Sequence, residues 1–524
     1  MAKAKKVKDV KSIEQTIWDS ANKLRGAVEP SEYKHVVLSL IFLKYANEKF
    51  AEHREAMIAA GQEAFLEMMP FYVKDNVFFI PEEARWDYIM ENAKQPDIAI
   101  KIDTALHEIE AKNTALAGAL PDNYYSRLHL DSNCLSSLLD LINSINLHEE
   151  DDKDVFGRVY EYCLSQFALK EGKGKGEFYS PKSVVSLLCE LIEPFSGIVY
   201  DGACGSGGMF VQSMRFVDEH KGNRRNLSVY AQEYTDTTRR LAKMNLAIRG
   251  IAANFGMSAA NTFLDDQHKD LKADFALENP PFNQKDWREE NQLLDDPRWD
   301  GYPVPPTSNA NYGWLLNTLS KLGQNGVGAV LLANGALSAS GVEYEIRKRM
   351  IQKDMVEAIL ILPQNMFFTT NISVTCWILN KNKKARVEKR DGGDVTYRDR
   401  TGEILFMDLR QMGHPYEKKY LEFTQDDRNI ITDKFKAWRR SGYETAYEDV
   451  PEFCYSASAA DIIERDYSLV PSRYIEFVQS GDDADYDSKM TALQGELQEL
   501  LKLEAKSKEE LLDVMRGLGY GINI

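Results

Sequence analysis

Residues 199–208 read Val199-Tyr200-Asp201-Gly202-Ala203-Cys204-Gly205-Ser206-Gly207-Gly208. A short β-type run meets a glycine-rich turn that opens an apolar-periodic stretch. The pattern predicts a strand, a tight turn and a helix, with the glycines letting the backbone come close to a nucleotide-like ligand. A dinucleotide fingerprint counted from Gly205 needs glycine where Phe210 stands, so an adenosyl ligand without pyrophosphate fits better. Taken alone, the loop is equally readable as a plain tight turn.

Around this loop, β-type runs alternate with helical patterns. Strands are predicted at Ile198 to Tyr200, Leu227 to Ala231, Ala273 to Leu277, Val327 to Ala333 and Val356 to Leu362. Helices are predicted from Gly208, over Asp236 to Ile248, from Trp314 and from Tyr344. Strands spaced by helices in this way imply βαβ units and a doubly wound, mostly parallel Rossmann-like sheet. Two further runs, Ser373 to Leu379 and Ile404 to Met407, are expected to add antiparallel strands at the sheet edge.

Upstream, residues 13–168 carry apolar residues at three- and four-residue spacing, as in Val36, Val37, Leu40 and Ile41, and predict an all-helical domain. The stretch Glu171-Gly172-Lys173-Gly174-Lys175-Gly176 breaks both patterns and marks a boundary or loop. The organisation expected is a basic tip over 1–12, a helical domain over 13–168, an α/β domain over 169–480 and a helical tail over 481–524. In the tail, Met490, Leu493, Leu497 and Leu500 follow 3-4-3 spacing. That is short of the ~3–4 heptads that define a coiled coil, and a plain amphipathic surface helix explains it as well as a partner-binding one.

Two more strand ends carry chemistry. Glu233 follows the strand Leu227 to Ala231, where an acidic side chain can accept both hydroxyls of a ribose. The run Asp274-Phe275-Ala276-Leu277-Glu278-Asn279-Pro280-Pro281-Phe282 ends a strand in Asn-Pro-Pro-Phe. Pro280 and Pro281 fix the backbone and remove two donors, leaving carbonyls as acceptors beside the Asn279 amide oxygen. Phe282 offers a face on which a base can stack. Together these residues suit a planar aromatic amine.

Composition limits the alternatives. The chain has 524 residues with 64 Lys and Arg against 81 Asp and Glu, a net charge of −17, which disfavours a free-standing, non-specific nucleic-acid binder. If DNA is the substrate, a partner or a local basic patch must help to hold it. No apolar run approaches the ~18 residues of a membrane span, and the Lys-rich start lacks a signal-peptide core, so a cytoplasmic protein is expected. Six scattered cysteines form no C-x-x-C pair, so neither a disulfide framework nor a structural metal is expected.

These motifs resemble, over nearly the whole chain, the methyltransferase (modification) subunit of type I restriction-modification systems. The resemblance runs from Lys23-Leu24-Arg25-Gly26 and Ser31 to Tyr45, through Gly176 to Lys182, the glycine-rich loop, Asn279 to Phe282 and Asn309-Ala310-Asn311-Tyr312-Gly313-Trp314. It continues to Leu362-Pro363-Gln364-Asn365-Met366-Phe367 and Pro471-Ser472-Arg473-Tyr474-Ile475. It implies methyl transfer from S-adenosyl-L-methionine to N6 of adenine in duplex DNA. It also implies a separate specificity subunit that sets the target sequence, a restriction subunit, and two copies of this chain per specificity subunit.

By the same resemblance, Glu177, Phe178, Tyr179, Ser180, Pro181 and Lys182 would lie along the methionine end of the cofactor. Asp201 and Gly205 to Gly208 would shape its pocket, Glu233 would hold its ribose and Asn261 would sit beside its adenine. Asn279, Pro280, Pro281 and Phe282 would receive the flipped base, without a metal. Three positions depart from the family pattern: Gly202 where proline is usual, Ser180 where threonine is commoner, and Glu278 where a small residue is usual. The competing readings are a single-chain adenine methyltransferase, a glutamine methyltransferase of the release-factor type, and a catalytically silent architectural subunit.

Overall fold

The computed structural model describes residues 30–145, 157, 160–166, 180–367, 370–390, 393–416, 420–477 and 483–517. The basic tip, the 171–176 stretch and Glu177, Phe178 and Tyr179 lie outside them. Two compact units meet in the chain between Ile475 and Glu476.

The first unit opens with the helix Pro30–Ala59. Val36, Val37, Leu38, Leu40, Ile41, Phe42 and Leu43 are all buried, because an apolar run without a polar stripe forms a helix enclosed on every side. Lys44 ends this run inside the protein. Its ammonium donates to the carbonyls of Ile142 (3.0 Å) and Asn143 (2.9 Å), satisfying the end of the helix Ser132–Asn143 with a cation where the helix dipole is negative. Burial lowers the Lys44 pKa, and Glu48 opposes the shift.

The α/β region holds strands β1 (Gly197–Asp201), β2 (Leu227–Ala231), β3 (Ala253–Asn254), β4 (Ala273–Glu278), β5 (Leu322–Ala333), β6 (Val356–Ile361) and β7 (Val374–Asn380). They are followed by β8 (Arg386–Glu388), β9 (Val395–Tyr397), β10 (Ile404–Asp408), β11 (His414–Tyr416), β12 (Tyr420–Glu422) and β13 (Cys454–Ala457). Nine of these form one sheet in the order β13-β10-β6-β7-β5-β4-β1-β2-β3. The pairs β1–β2, β1–β4, β2–β3, β4–β5 and β6–β10 are parallel. The predicted strand Leu227 to Ala231 and helix Asp236 to Ile248 coincide with observed elements, whereas the helix predicted from Trp314 begins at Asn311.

One expectation is corrected. Of the two runs expected to add antiparallel strands at the edge, neither lies there: Ser373 to Leu379 forms β7, antiparallel but between β5 and β6 inside the sheet, and Ile404 to Met407 forms β10, between β6 and β13. All seven residues of β7 are buried, as a strand covered on both faces requires. Strand β10 is parallel to β6, and β13 pairs antiparallel with β10 at the edge.

The strand order reverses at β1: the chain steps outward to β2 and β3, then returns to place β4 on the other side of β1. Ligands of open α/β sheets bind at the carboxyl ends of strands beside such a reversal. Asp201, Glu233 and Asn279 all follow or close strands there. The helix Asp236–Ile248 also lends Leu241 and Met244 to the core of the helical region. Arg240 and Lys243 on it donate to the carbonyls of Leu120 (2.7 Å) and Ala117 (2.8 Å), tying the helical region to the sheet. In the second unit, Asp483–Gly517 is one helix of 35 residues.

Candidate active site

The turn after β1 is built by backbone hydrogen bonds to acidic side chains. The Asp201 carboxylate accepts from the Ala203 N–H (2.9 Å), and Glu233 accepts from Gly205 (3.1 Å) and Thr235 (3.0 Å), one on each oxygen. Gly205 and Gly207 lie at φ +54° and +80°, the left-handed region that glycine enters without steric cost. A Cβ on Gly207 would touch Leu246, so the turn also packs closely on the helix Asp236–Ile248. Each carboxylate oxygen has two acceptor positions, so Glu233 retains capacity for two hydroxyls after bonding the loop.

Burial raises the Asp201 carboxyl to about 8, with the charge of Glu233 adding to the shift and the Ala203 N–H opposing it. Burial raises Glu233 as well, against the loop N–H groups that favour its charged form.

At the end of β4, the Asn279 amide nitrogen donates to the Ser180 hydroxyl (2.9 Å). This fixes the amide, and its Oδ1 is left buried without a hydrogen-bond partner among the described residues. Threonine, the commoner residue at position 180, carries the same hydroxyl. Phe282 is half-buried, with its ring 6.4 Å from and nearly perpendicular to that of Phe367.

One cleft is lined by Ser180, Lys182, Asp201, Gly205, Ser206, Gly208 and Asn279. Pro181 starts the helix Lys182–Ile192, and Glu233 borders the cleft through its bond to Gly205. Asn261 lies outside the lining. Its side-chain oxygen accepts from Phe263 (2.9 Å) and Leu264 (3.3 Å) within its own turn, which Ala260 ties to the Glu233 carbonyl (3.0 Å).

Sequence reasoning missed Asn245. It lines the cleft and donates to the Ser206 carbonyl (2.7 Å), and its own oxygen receives Arg249, which pairs with Glu161 (3.2 Å) from the segment preceding the α/β region. The available signal was an asparagine on the apolar face of a helix, four residues from Leu241.

Behind the turn, Glu278 is fully buried and neither carboxyl oxygen has a hydrogen-bond partner among the described residues. The Thr318 hydroxyl, on the facing helix Asn311–Lys321, donates to the Trp314 carbonyl (3.0 Å). The Lys321 ammonium is engaged by Asp266 and the His268 carbonyl. Burial pushes the Glu278 carboxyl well above the usual range, which favours its neutral form. The buried Tyr200 hydroxyl is also without a partner among the described residues. A Cβ at position 202 would sit 2.6 Å from that hydroxyl, so glycine here leaves room for it.

Residues 151–483 match the N-6 DNA Methylase family model, and residues 13–143 match the HsdM N-terminal domain. The chain belongs to the N-6 DNA methylase family. It is 39% identical to the type I restriction enzyme HindI methylase subunit of Haemophilus influenzae, over 84% of this chain and 100% of that protein. It is 32% identical to the MjaIX methylase subunit of Methanocaldococcus jannaschii, over 97% of this chain and 91% of that protein. The fold matches the solved type I restriction-modification methyltransferase subunit of Streptococcus thermophilus with a TM-score of 0.70 at 22% identity, covering 88% of this chain and 99% of that one. For an N-6 DNA methylase, the residues present suit an adenosyl donor: a glycine turn open to close approach and a carboxylate with spare acceptor positions.

Proposed function

We propose that this methylase subunit transfers a methyl group from S-adenosyl-L-methionine to the exocyclic N6 of adenine in duplex DNA. It does so as the modification subunit of a type I restriction-modification complex. The observation that carries the reading is the Asn279 oxygen: a buried acceptor without a donor among the described residues, beside a cleft lined by the glycine-rich turn. Burying an amide oxygen unpaired costs about 1–3 kcal/mol, which a ligand amine placed there would recover.

The cofactor supplies a methyl group on a sulfonium, a good leaving group. Ser206, Gly208 and Asp201 line its place, Glu233 accepts from its ribose, and Ser180 to Lys182 flank the methionine end. Asn261 is the proposed neighbour of its adenine, and Glu177, Phe178 and Tyr179 would extend the methionine side.

Adenine N6 is a poor nucleophile because its lone pair is delocalised into the ring. The Asn279 oxygen and the Pro280 carbonyl accept its two hydrogens and so favour a localised lone pair. Pro281 holds the turn rigid and Phe282 stacks on the base. The work is positioning and electrostatic stabilisation, with no metal in any role. Because N6 is stacked within a duplex, the target must swing out of the helix to reach Asn279.

With so acidic a chain, sequence reading belongs to a specificity subunit. The helix Asp483–Gly517 exposes Leu493, Leu497 and Leu500 by more than half and is the proposed docking element. A restriction subunit and a second copy of this chain complete the proposed complex. No helix among the described residues is long and apolar enough to cross a membrane, and the cytosol is the proposed location.

The test is nucleoside mass spectrometry of DNA from cells expressing the chain with its neighbouring genes, in parallel with Asn279→Ala. The expected outcome is N6-methyladenine that falls on the order of a hundredfold or more in the variant, with cofactor binding retained. Methyladenine unchanged by the substitution would remove the proposed role of Asn279.

A further inference from the structure

The residue after the Asn279–Phe282 turn, Asn283, is held at φ +52°, the left-handed region that asparagine enters more readily than other non-glycine residues when its side chain is hydrogen-bonded. The support comes from 28 residues downstream. The Asn311 side-chain oxygen accepts the Asn283 backbone N–H (2.9 Å), and the Asn311 amide nitrogen donates to the Asn283 side-chain oxygen (2.8 Å).

Asn311 can do this because it is itself fixed. It is the first residue of the helix Asn311–Lys321 and is 1% exposed, and its backbone N–H donates to the Asn309 side chain (2.9 Å). Ala310 donates to the Gln284 carbonyl (2.9 Å), so the two ends of the segment between β4 and that helix are stitched side by side. Neighbouring Gly313 packs beneath the Trp287 ring at a distance that a larger residue would disturb. The Asn309-Ala310-Asn311-Tyr312-Gly313-Trp314 motif thus grips the exit of the turn rather than the cleft, which it does not line.

We propose that Asn311 is a positioning residue: by clasping Asn283 in its left-handed conformation, it sets the exit of the turn and hence the face that Phe282 presents to the target base. The inference rests on the reading of Asn279 to Phe282 as the base-receiving turn. It assigns the clasp to the base side of the reaction and leaves the cofactor side untouched.

The test uses the full-length chain in complex with its specificity partner, on duplex DNA carrying the target adenine or 2-aminopurine in its place. Asn311→Ala is expected to lower kcat and the 2-aminopurine fluorescence of the flipped base about three- to tenfold, the worth of the hydrogen bonds lost from the clasp written as a ratio. Cofactor affinity stays within twofold. Glycine needs no clasp, so Asn283→Gly placed in the Asn311→Ala background is expected to restore most of the loss. Asn311→Asp, which keeps the acceptor but opposes the Asn283 oxygen, is expected to fall between Asn311→Ala and the unaltered chain.

Three results would overturn the proposal: kcat and fluorescence within twofold in Asn311→Ala, an equal loss of cofactor affinity, or no rescue by Asn283→Gly. Asn279→Ala run alongside separates the two readings. If that variant keeps full activity, the turn is not the base site; if it is inactive while Asn311→Ala is unaffected, only the clasp fails.

Discussion

Glu278→Gln replaces a buried neutral acid by a neutral amide of the same size. In the folded chain, burial pushes the Glu278 carboxyl well above the usual carboxylate range. In the unfolded chain the same carboxyl titrates near 4.3 or so, roughly its reference value. Between these two points the folded state therefore binds one proton more than the unfolded state. Stability falls with rising pH at about 1.4 kcal/mol per pH unit from this group alone. The groups facing it are the Tyr200 hydroxyl and Asp201 from β1, and Thr318 and Lys321 from the facing helix, with Asp266 holding the Lys321 charge. Glutamine carries no such proton, so the difference in stability, variant minus unaltered chain, rises by about 1.4 kcal/mol for each pH unit above the carboxylate range. Urea unfolding of both proteins at pH 5.5, 6.5 and 7.5, followed by tryptophan fluorescence, reads this difference directly. A difference that stays constant over these two units would mean that Glu278 is ionised in the folded protein, and the account of a neutral acid behind the turn would be wrong.

Three further outcomes are expected. Asp201, raised to about 8, is protonated in the free protein at neutral pH, whereas a cationic cofactor favours its charged form. Cofactor affinity should therefore rise with pH until about pH 8, with proton release in calorimetry. Asp201→Asn should abolish that dependence, and an affinity flat from pH 6 to 8 in the unaltered chain would contradict it. Asn245→Ala removes the bond to the Ser206 carbonyl and should weaken cofactor binding about two- to tenfold, the worth of one hydrogen bond. Unchanged binding would show that the glycine turn holds its own shape. Finally, a chain ending at Asp485 should lose association with the specificity partner, and an intact complex on gel filtration would assign docking to another surface.

Much of the site was legible because its chemistry sits at strand ends. A β-type run that stops at Asp201, Ala231 or Glu278 announces its own end by the glycine, acidic or proline residues that follow, and a parallel sheet brings such ends to one rim. Asn245 escaped because a single asparagine within Leu241-Ala242-Lys243-Met244-Asn245-Leu246 does not disturb the helical period. The position of β7 escaped because chain order does not state strand order. Its near-continuous apolar run, Val374-Thr375-Cys376-Trp377-Ile378-Leu379, broken only by Thr375, was nevertheless a sign of burial on both faces.

By itself the sequence determined the two kinds of region, the three strand-end motifs and the family, since each depends on residues near one another in the chain. Tertiary structure decided what depends on distant partners. Glu278 reads as a charge beside the site until β1 and the Asn311–Lys321 helix enclose it without a donor and its proton stays on. Asn283 reads as an ordinary loop residue until Asn311 closes on it. Desolvation and hydrogen bonding act through space, and only the folded chain says which groups are left facing one another.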